Sequence, residues 1–279
     1  MERARQVGDG ERLIDARMAE VRGFTAVCAL RGEGVSTLVD AGVSVSAPAV
    51  LEGPAEAGTT REEVLYIPLA RVHPDHAGGF LLPESPGARA IGSRKGLDAV
   101  AQPGRQVAGA RRSLDAPADT YGGMVPIPRE RILAAEEVEA LYPRGKTLRT
   151  VRAPGHASSH LRVVDEASGT PFSGAAPGIR LAEEGGVIPV TPPPDCDLEG
   201  QRRALERLAG LAARAPVLCT SAAGAGAPAW PARPDRPWSS CWRWWRRGCA
   251  KARNRDASRG SQCASWTRGL LRPYSSSEA

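Results

Sequence analysis

Four polar residues of metal-ligand type could form one hydrolytic site. His73 and Asp75 are two positions apart, His76 adjoins them, and His156 lies in a later, glycine-containing loop. A turn that follows a strand can aim such side chains into a common space, and imidazole and carboxylate groups are ligands that hydrolytic metal ions use. A loop held together by hydrogen bonds is the alternative. The two consecutive glycines that follow the cluster favour the metal site.

The segments around this cluster resemble a known signature. The run LARVHPDHAGG is similar to a strand ending in THxHxDHxGG, the signature of the metallo-β-lactamase superfamily. LVDAG and APGHASSH resemble the strand before the site and the loop with the next histidine ligand. FSGAAPG resembles the loop that normally carries an aspartate, and LCTSAAG resembles the strand end that normally carries the last histidine. GGVIPVTPPPDCD resembles a segment of one branch of these hydrolases. The resemblance extends over about residues 5–224.

This resemblance implies a fold and a set of ligands. The fold is a four-layer αββα sandwich of the α/β (α+β) class, in which two mixed sheets pack between helices and the site lies at one edge of the sheets. The cofactor is zinc, as one or two ions. His73 and His156 correspond to ligands of one ion, and Asp75 and His76 to ligands of the other. Asp75 would also act in catalysis by orienting the attacking hydroxide.

Three positions at which the superfamily has ligands carry other residues here. Arg71 replaces the first histidine of the signature, Ala175 replaces the bridging aspartate, and Ala222 replaces the last histidine. Each ion would keep two protein ligands, whereas catalytic zinc uses three and a water. The guanidinium of Arg71 cannot lose its proton, so it would repel a dication unless it turns outward.

The surviving ligands favour a metal-dependent hydrolase with an incomplete dinuclear metal site. A single ion shared by His73, His156 and either Asp75 or His76 is one arrangement that such a site could take. Its metal-bound hydroxide would attack a small-molecule substrate such as an ester, thioester or lactone. The alternative is a catalytically inactive member, either a binding protein or the product of a decaying gene.

Two further polar residues are expected to support the site. Asp40, at the end of the strand LVDAG, is expected to hold the metal loop by hydrogen bonds. His160 could be a substitute ligand, a substrate contact or a hydrogen-bond donor to a ligand. Because a strand begins at His160, we favour a structural role for it.

The elements that must position these residues are mostly strands. Residues 24–30 and the run VSTLVDAG predict a hairpin, and Ser44 or Ser46 could cap the helix that follows. The run VLYIPLARV predicts the strand before the cluster, and HLRVVDEASGTPFSG predicts a second hairpin. Short helical patches are expected at residues 94–100 and 134–141. The stretch LEGQRRALERLAGLAARA predicts an amphipathic helix over a sheet, followed by a short last strand.

Composition indicates a folded protein with one main domain, and we place that domain at residues 1–225. Hydrophobic residues make up 42% and charged residues 24%, which is ordinary globular usage. No signal peptide or membrane-spanning stretch is recognisable, so we expect a soluble, cytoplasmic protein without a membrane partner. Cys28 and Cys219 lie in apolar runs and are expected to be buried free thiols.

Residues 226–279 differ in composition from the rest. All six tryptophans lie in the last fifty residues, and residues 231–279 carry an excess of eight positive charges, which leaves residues 1–230 with a net charge of −2. Interleaved Arg and Trp can bind nucleic acid or lie on an anionic membrane surface. Because this segment has no helical apolar period, we favour an irregular tail, as translation out of the original reading frame would give. Nucleic-acid binding is the less favoured interpretation.

Overall fold

The computed structural model describes residues 4–78, 81–114, 122–137, 140–141, 143, 145–175, 178–180, 187–188, 197–211 and 217–219. The strands are β1 Ala4–Gly8, β2 Glu11–Asp15, β3 Ala26–Arg31, β4 Ser36–Val39, β5 Val64–Pro68, β6 Arg89–Gly92, β7 Ile132–Ala134, β8 Leu148–Arg152, β9 Leu161–Asp165, β10 Thr170–Ser173, β11 Ile179–Arg180, β12 Val187–Ile188 and β13 Val217–Leu218. The α-helices are α1 Ala47–Glu56, α2 Leu81–Glu84, α3 Leu97–Ala101, α4 Gly104–Leu114 and α5 Leu198–Leu211.

The described strands form two large mixed sheets. One has seven strands in the order β1 to β7, antiparallel up to β4 and parallel from β4 to β7. The other has the order β13-β10-β9-β8, in which β13 runs parallel to β10. A separate pair is formed by β11 and β12. Both predicted hairpins, β3–β4 and β9–β10, are confirmed.

Alternation of side chains along β3 shows how the layers pack. Val27 and Ala29 belong to a core that also contains Val50 of α1 and Leu81 of α2, so they face helices. Cys28 and Leu30 point the other way. They belong to a second core whose residues come from both sheets: Cys28, Leu30, Val39, Ile91, Ala135, Leu141, Leu148, Leu161, Val163, Phe172, Val217 and Cys219.

The outer face of the smaller sheet is covered by α5. Ala204 and Leu205 of this helix are buried, and Arg162 of β9 donates from Nη1 to the carbonyl of Ala204 over 2.6 Å. The order of layers is therefore helices, seven-stranded sheet, four-stranded sheet and helix. This is the αββα sandwich that the sequence predicted.

Two buried thiols join the sheets across the central core. Cys28 of β3 and Cys219, which follows β13, place their Sγ atoms 3.2 Å apart. Both are free cysteines, as predicted. The hydrogen bond with Cys28 and burial raise the pKa of the Cys219 thiol well above its ordinary value.

The structure agrees only in part with the predicted helical patches and does not describe the predicted tail. The helix at residues 94–100 corresponds to a short 3-10 turn and α3, whereas residues 134–141 contain the end of β7 and the 3-10 turn Ala135–Glu137. The tail at residues 226–279 and the replaced ligand position Ala222 lie outside the described residues. No helix formed by the described residues combines the length and apolar character needed to cross a membrane.

Candidate functional site

The loop after β5 carries most of the predicted ligands and is fixed by backbone hydrogen bonds. The amide of His76 donates to the carbonyl of His73 over 3.0 Å, which closes a tight turn. The carbonyl of His76 accepts from the amide of Ala41 over 2.7 Å, and Gly78 donates to Gly42 over 2.9 Å. A Cβ at Gly78 would lie 2.5 Å from the Gly42 carbonyl oxygen. Only glycine therefore lets this loop lie against the segment that follows β4.

Asp40 is the buried centre of this attachment. Its backbone has φ +69°, and its Oδ1 accepts from the amide of Ala70 over 2.6 Å. Its Oδ2 lies 2.6 Å from Nδ1 of His76, and both side chains are fully buried. Asp40 thus makes hydrogen bonds to the ligand loop of the kind that the sequence predicted. Burial and Arg71 disfavour the charged imidazole of His76, but Asp40 and Asp75 outweigh them and raise its pKa.

The side chain of Arg71 turns inward, and not outward as a bound dication would require. Its side chain is only 5% exposed, and its Nη2 donates to Oδ2 of Asp75 over 2.6 Å. Nε2 of His76 lies 2.9 Å from the same carboxylate oxygen. Burial opposes ionisation of Asp75, but the positive charges of Arg71 and His76 outweigh it and hold the pKa of Asp75 well below its ordinary value. The carboxylate is therefore an ion-pair partner of the guanidinium.

The loop between β8 and β9 brings two histidines to the same place. The rings of His73 and His156 have centroids 5.5 Å apart, and those of His156 and His160 are 5.9 Å apart. This loop is joined to the first one because the amide of Leu161 donates to the carbonyl of Ala70 over 2.7 Å. Burial, followed by the nearby His156, lowers the pKa of His160 well below its ordinary value. His160 is thus favoured as a neutral ring.

The loop after β10 contributes only small residues to the site. Ala175 is fully buried, and its methyl group cannot bridge two metal ions as a carboxylate would. A Cβ on the preceding Gly174 would lie 3.3 Å from Nε2 of His160 and 3.3 Å from Cε1 of His76. The loop therefore lies directly against the two histidine rings, and its described residues Gly174 and Ala175 bring no ligand to them.

The described residues do not fit the zinc site that the resemblance implies. Among them, no three His, Cys, Asp or Glu side chains surround a point where one metal ion could lie. His73 and His156 are close together, but the place of their third ligand is taken by Arg71. Asp75 is paired with that same Arg71, and Nε2 of His76, the nitrogen that its bond to Asp40 leaves for a metal, lies 2.9 Å from Asp75. The predicted ligands are brought together, but Asp75 and His76 lie in ion pairs and His73 and His156 in a ring contact.

One polar residue near the site was missed by the sequence analysis. Arg162 is 2% exposed, because it lies between the smaller sheet and α5. Burial, and to a lesser degree Arg207, lowers the pKa of Arg162 to about 9. An arginine that alternates with apolar residues along a strand normally indicates the solvent side, so only the helix above it reveals its burial.

Comparison with known proteins agrees with this architecture. A sequence model of the metallo-β-lactamase superfamily matches residues 22–217. An archaeal metallo-β-lactamase superfamily protein from Sulfolobus tokodaii is similar in structure, with 25% identity, a TM-score of 0.64, and coverage of 77% of this chain and 80% of that one. A metallo-β-lactamase family protein from Thermus thermophilus has 25% identity and a TM-score of 0.54, with 75% and 72% covered. No curated protein matches the sequence.

A third structure shows the likeness over nearly the whole chain. The metallo-β-lactamase SMB-1, solved with 2-mercaptoethanesulfonate, has 13% identity and a TM-score of 0.55, with 98% of this chain and 95% of that one covered. At this identity the likeness concerns the fold alone.

Proposed function

Because the chain belongs to the metallo-β-lactamase superfamily and has the fold of its metal-dependent hydrolases, we propose that it binds a small molecule at the superfamily's site without hydrolysing it. The observation that carries this proposal is the buried pair between Arg71 and Asp75. It joins a residue that replaces one zinc ligand to a residue that would be another.

Metal binding would have to break this pair. Releasing Asp75 would leave the guanidinium of Arg71 buried without its carboxylate, and removing one partner from a buried ion pair costs about 3–5 kcal/mol. An ion held by His73 and His156 would also lie close to a permanent positive charge. Both effects oppose zinc, and the loss of the carboxylate at Ala175 removes a ligand that could offset them.

Neither Asp75 nor His76 supplies a substitute for metal-activated hydroxide. A general base works best with a pKa near the operating pH. Asp75 has a pKa well below its ordinary value, so it is a weak base. Both ring nitrogens of His76 already face carboxylates, Nδ1 at Asp40 and Nε2 at Asp75, so the ring has no nitrogen left for a water. Hydrolysis by water alone is therefore not expected from these groups.

A hydrolase with a single zinc ion is the second candidate. It is favoured by the approach of His73 and His156, whose ring centroids are 5.5 Å apart. It would require Asp75 or His76 to leave its present partner and become the third ligand. Its substrate would be an ester, thioester or lactone, as expected from the superfamily.

Metal content and turnover together test the proposal. The full chain is produced in zinc-supplemented medium, its zinc is measured by elemental analysis, and its hydrolysis of ester, thioester and lactone substrates is followed. We expect zinc far below one equivalent and no turnover above the buffer rate. Stoichiometric zinc with turnover would contradict the proposal and establish the second candidate.

A matched variant shows whether the replaced ligands are responsible. The triple change Arg71→His, Ala175→Asp and Ala222→His restores the ligand types of the superfamily. If these positions decide metal binding, this variant takes up zinc when prepared side by side with the original chain. A zinc-free triple variant that still folds would show that another feature of the site excludes the metal.

A further inference from the structure

We propose that Arg71 is the receptor for an oxyanion, a carboxylate or phosphate group of the small molecule that enters this site. The inference rests on the proposed function, because it requires a site without zinc. Only one nitrogen of the guanidinium, Nη2, has a hydrogen-bond partner, which is Asp75. Within the described part of the chain, Nε and Nη1 are buried and have none.

Buried guanidinium donors without a partner can bind an acceptor that a ligand supplies. Arginine has five N–H donors and no acceptor, and burying donors without partners costs free energy. A folded chain tolerates that cost where it serves binding or catalysis. Among ligand groups, carboxylate and phosphate oxygens match the fork of a guanidinium best.

The charges around Arg71 also favour an anion. Asp75 is paired with Arg71, and Asp40 is hydrogen-bonded to His76 and to the amide of Ala70, so both carboxylates already have partners. Ala175 stands where the resemblance implies another carboxylate, so no negative charge faces the site from that loop. A metal ion would supply positive charge to an oxygen of a bound molecule. In this chain the guanidinium supplies it in the same place.

A second unpaired ring borders the same space. Both nitrogens of His160 are buried and have no hydrogen-bond partner among the described residues. An imidazole ring can offer a hydrogen-bond donor to a ligand. The ring lies beside the loop after β10, where a Cβ on Gly174 would be 3.3 Å from Nε2 of His160 and 3.3 Å from Cε1 of His76. His160 can therefore donate to the same ligand.

Arg162 provides an internal contrast. Its Nε and Nη2 are likewise buried without partners in the described part of the chain. However, its Nη1 is bonded to the carbonyl of Ala204 in α5, and the helix covers it. Arg71 instead lies beside Asp75, which keeps 14% of its surface exposed to solvent. The partner of Arg71 thus reaches the surface, whereas that of Arg162 is the backbone of a covering helix.

The test measures binding of simple oxyanions to the full chain after treatment with a chelator. Inorganic phosphate and acetate are titrated separately by calorimetry and by thermal unfolding, since they represent the two possible ligand groups. We expect one of them to raise the melting temperature saturably. Arg71→Gln should weaken that binding by roughly tenfold or more, because it removes a charge-assisted bond. Arg71→Lys should retain part of it, because the charge remains but the fork is lost.

Controls separate this binding from general salt effects. Phosphate stabilises most proteins by exclusion from their surface, without saturation. The exposed Arg129, paired with Asp98, serves as a matched control, and Arg129→Gln should bind like the original chain. Equal responses of the original chain and of folded Arg71→Gln to both anions would overturn the proposal. If Arg71→Gln does not fold, the same comparison with Arg71→Lys decides.

The zinc content of the same preparations, measured before the treatment with the chelator, distinguishes the two proposals. Stoichiometric zinc would contradict the proposed function. A zinc-free chain that binds neither phosphate nor acetate saturably would contradict only the role given to Arg71.

Discussion

Two buried clusters of charge lie at opposite ends of β9, and they differ in what they leave unpaired. The site cluster, formed by Arg71, Asp75, His76 and Asp40, lies near the start of the strand, where Leu161 is bonded to Ala70. The far cluster is formed by Glu11, Lys146, Asp165 and Ser168, and Asp165 ends the strand. Among the described residues, the site cluster has donors without a partner, Nε and Nη1 of Arg71, whereas the far cluster has an acceptor without one, Oε2 of Glu11.

The far cluster is explained by the fold. Lys146 donates to Oδ2 of Asp165 over 2.8 Å and to the carbonyl of Asp9 over 3.1 Å, so it connects the turn between β1 and β2 with the smaller sheet. Ser168 donates to Glu11 over 2.9 Å and makes a second such connection. In the site cluster, Asp40 has the same role, but within the described part of the chain the side chain of Arg71 is hydrogen-bonded only to Asp75 of its own loop. Because the charge of Arg71 does not connect separate segments of the fold, it is a candidate for function.

The largest effect is expected from Asp40→Ala. This change leaves Nδ1 of His76 and the amide of Ala70 buried without partners, and breaking a buried pair costs about 3–5 kcal/mol. The free energy of unfolding in urea measures it. Asp98→Ala, at an exposed pair with Arg129, should change that free energy by less than about 1 kcal/mol. Similar values for both variants would contradict a supporting role for Asp40.

A smaller loss is expected from Lys146→Met. The change leaves Asp165 and Glu11 together without their cation. Because Lys146 keeps 13% exposure, solvent screens part of the loss, and we expect about 1–3 kcal/mol. Urea unfolding measures the effect, and oxyanion binding at Arg71 should not change. Weaker anion binding in this variant would show that the two clusters are coupled.

Removing both charges of the pair, as in the double variant Arg71→Met with Asp75→Asn, should change stability least, by about 1 kcal/mol or less in either direction. The double variant loses the bond between the two residues, but it also removes two buried donors that have no partner among the described residues, and it leaves no single charge of the pair buried alone. Urea unfolding beside Lys146→Met gives the comparison. A loss of unfolding free energy larger than that of Lys146→Met would show that the pair of Arg71 and Asp75 has a structural role, and the two clusters would then not differ in this respect.

The pH dependence of stability should separate the clusters further. Burial, followed by the hydrogen bond with Asp165, raises the pKa of Glu11 above its ordinary 4.5. A raised pKa of an acid means that the folded state holds the proton more tightly, so this contribution is present below pH 4.5 and is lost as pH rises through the raised value. In Glu11→Gln the side chain at this position cannot titrate, so this loss of stability with rising pH should disappear.

The measurement is the melting temperature of the original chain and of Glu11→Gln from acid to neutral pH. The difference between them should change in favour of Glu11→Gln as pH rises. The lowered pKa of Asp165 acts in the opposite sense, since its contribution is lost as pH falls below 3.8. A pH-independent difference would show that Glu11 does not titrate on folding.

Much of the fold could be predicted from local patterns. The period-two run of β9, its turn, and the helical period of α5 each depend on neighbouring residues, and all three are confirmed. The helical patch at residues 134–141 is met only in part, because Ala134 pairs with β6 and the described helical turn is the 3-10 turn Ala135–Glu137. The far cluster joins residues more than a hundred positions apart, so no local pattern could predict it.

The site itself was predicted as a set of residues, but not as a set of contacts. The sequence and the resemblance bring His73, Asp75, His76 and His156 to one place, and the structure does so as well. The direction of Arg71 could not be read from the sequence, because both a buried pair with Asp75 and an exposed rotamer fit the spacing. That single direction decides whether the site suits a cation or an anion.

Equilibrium binding of zinc to the metal-free chain tests this account most directly. Zinc is titrated by calorimetry into the original chain, into Arg71→Ala, which removes the guanidinium, and into Arg71→His, which also restores a ligand. We predict no saturable binding by the original chain and measurable binding by Arg71→His, with Arg71→Ala between them. Tight, stoichiometric binding by the original chain, unchanged in both variants, would contradict the claim that Arg71 has replaced the metal.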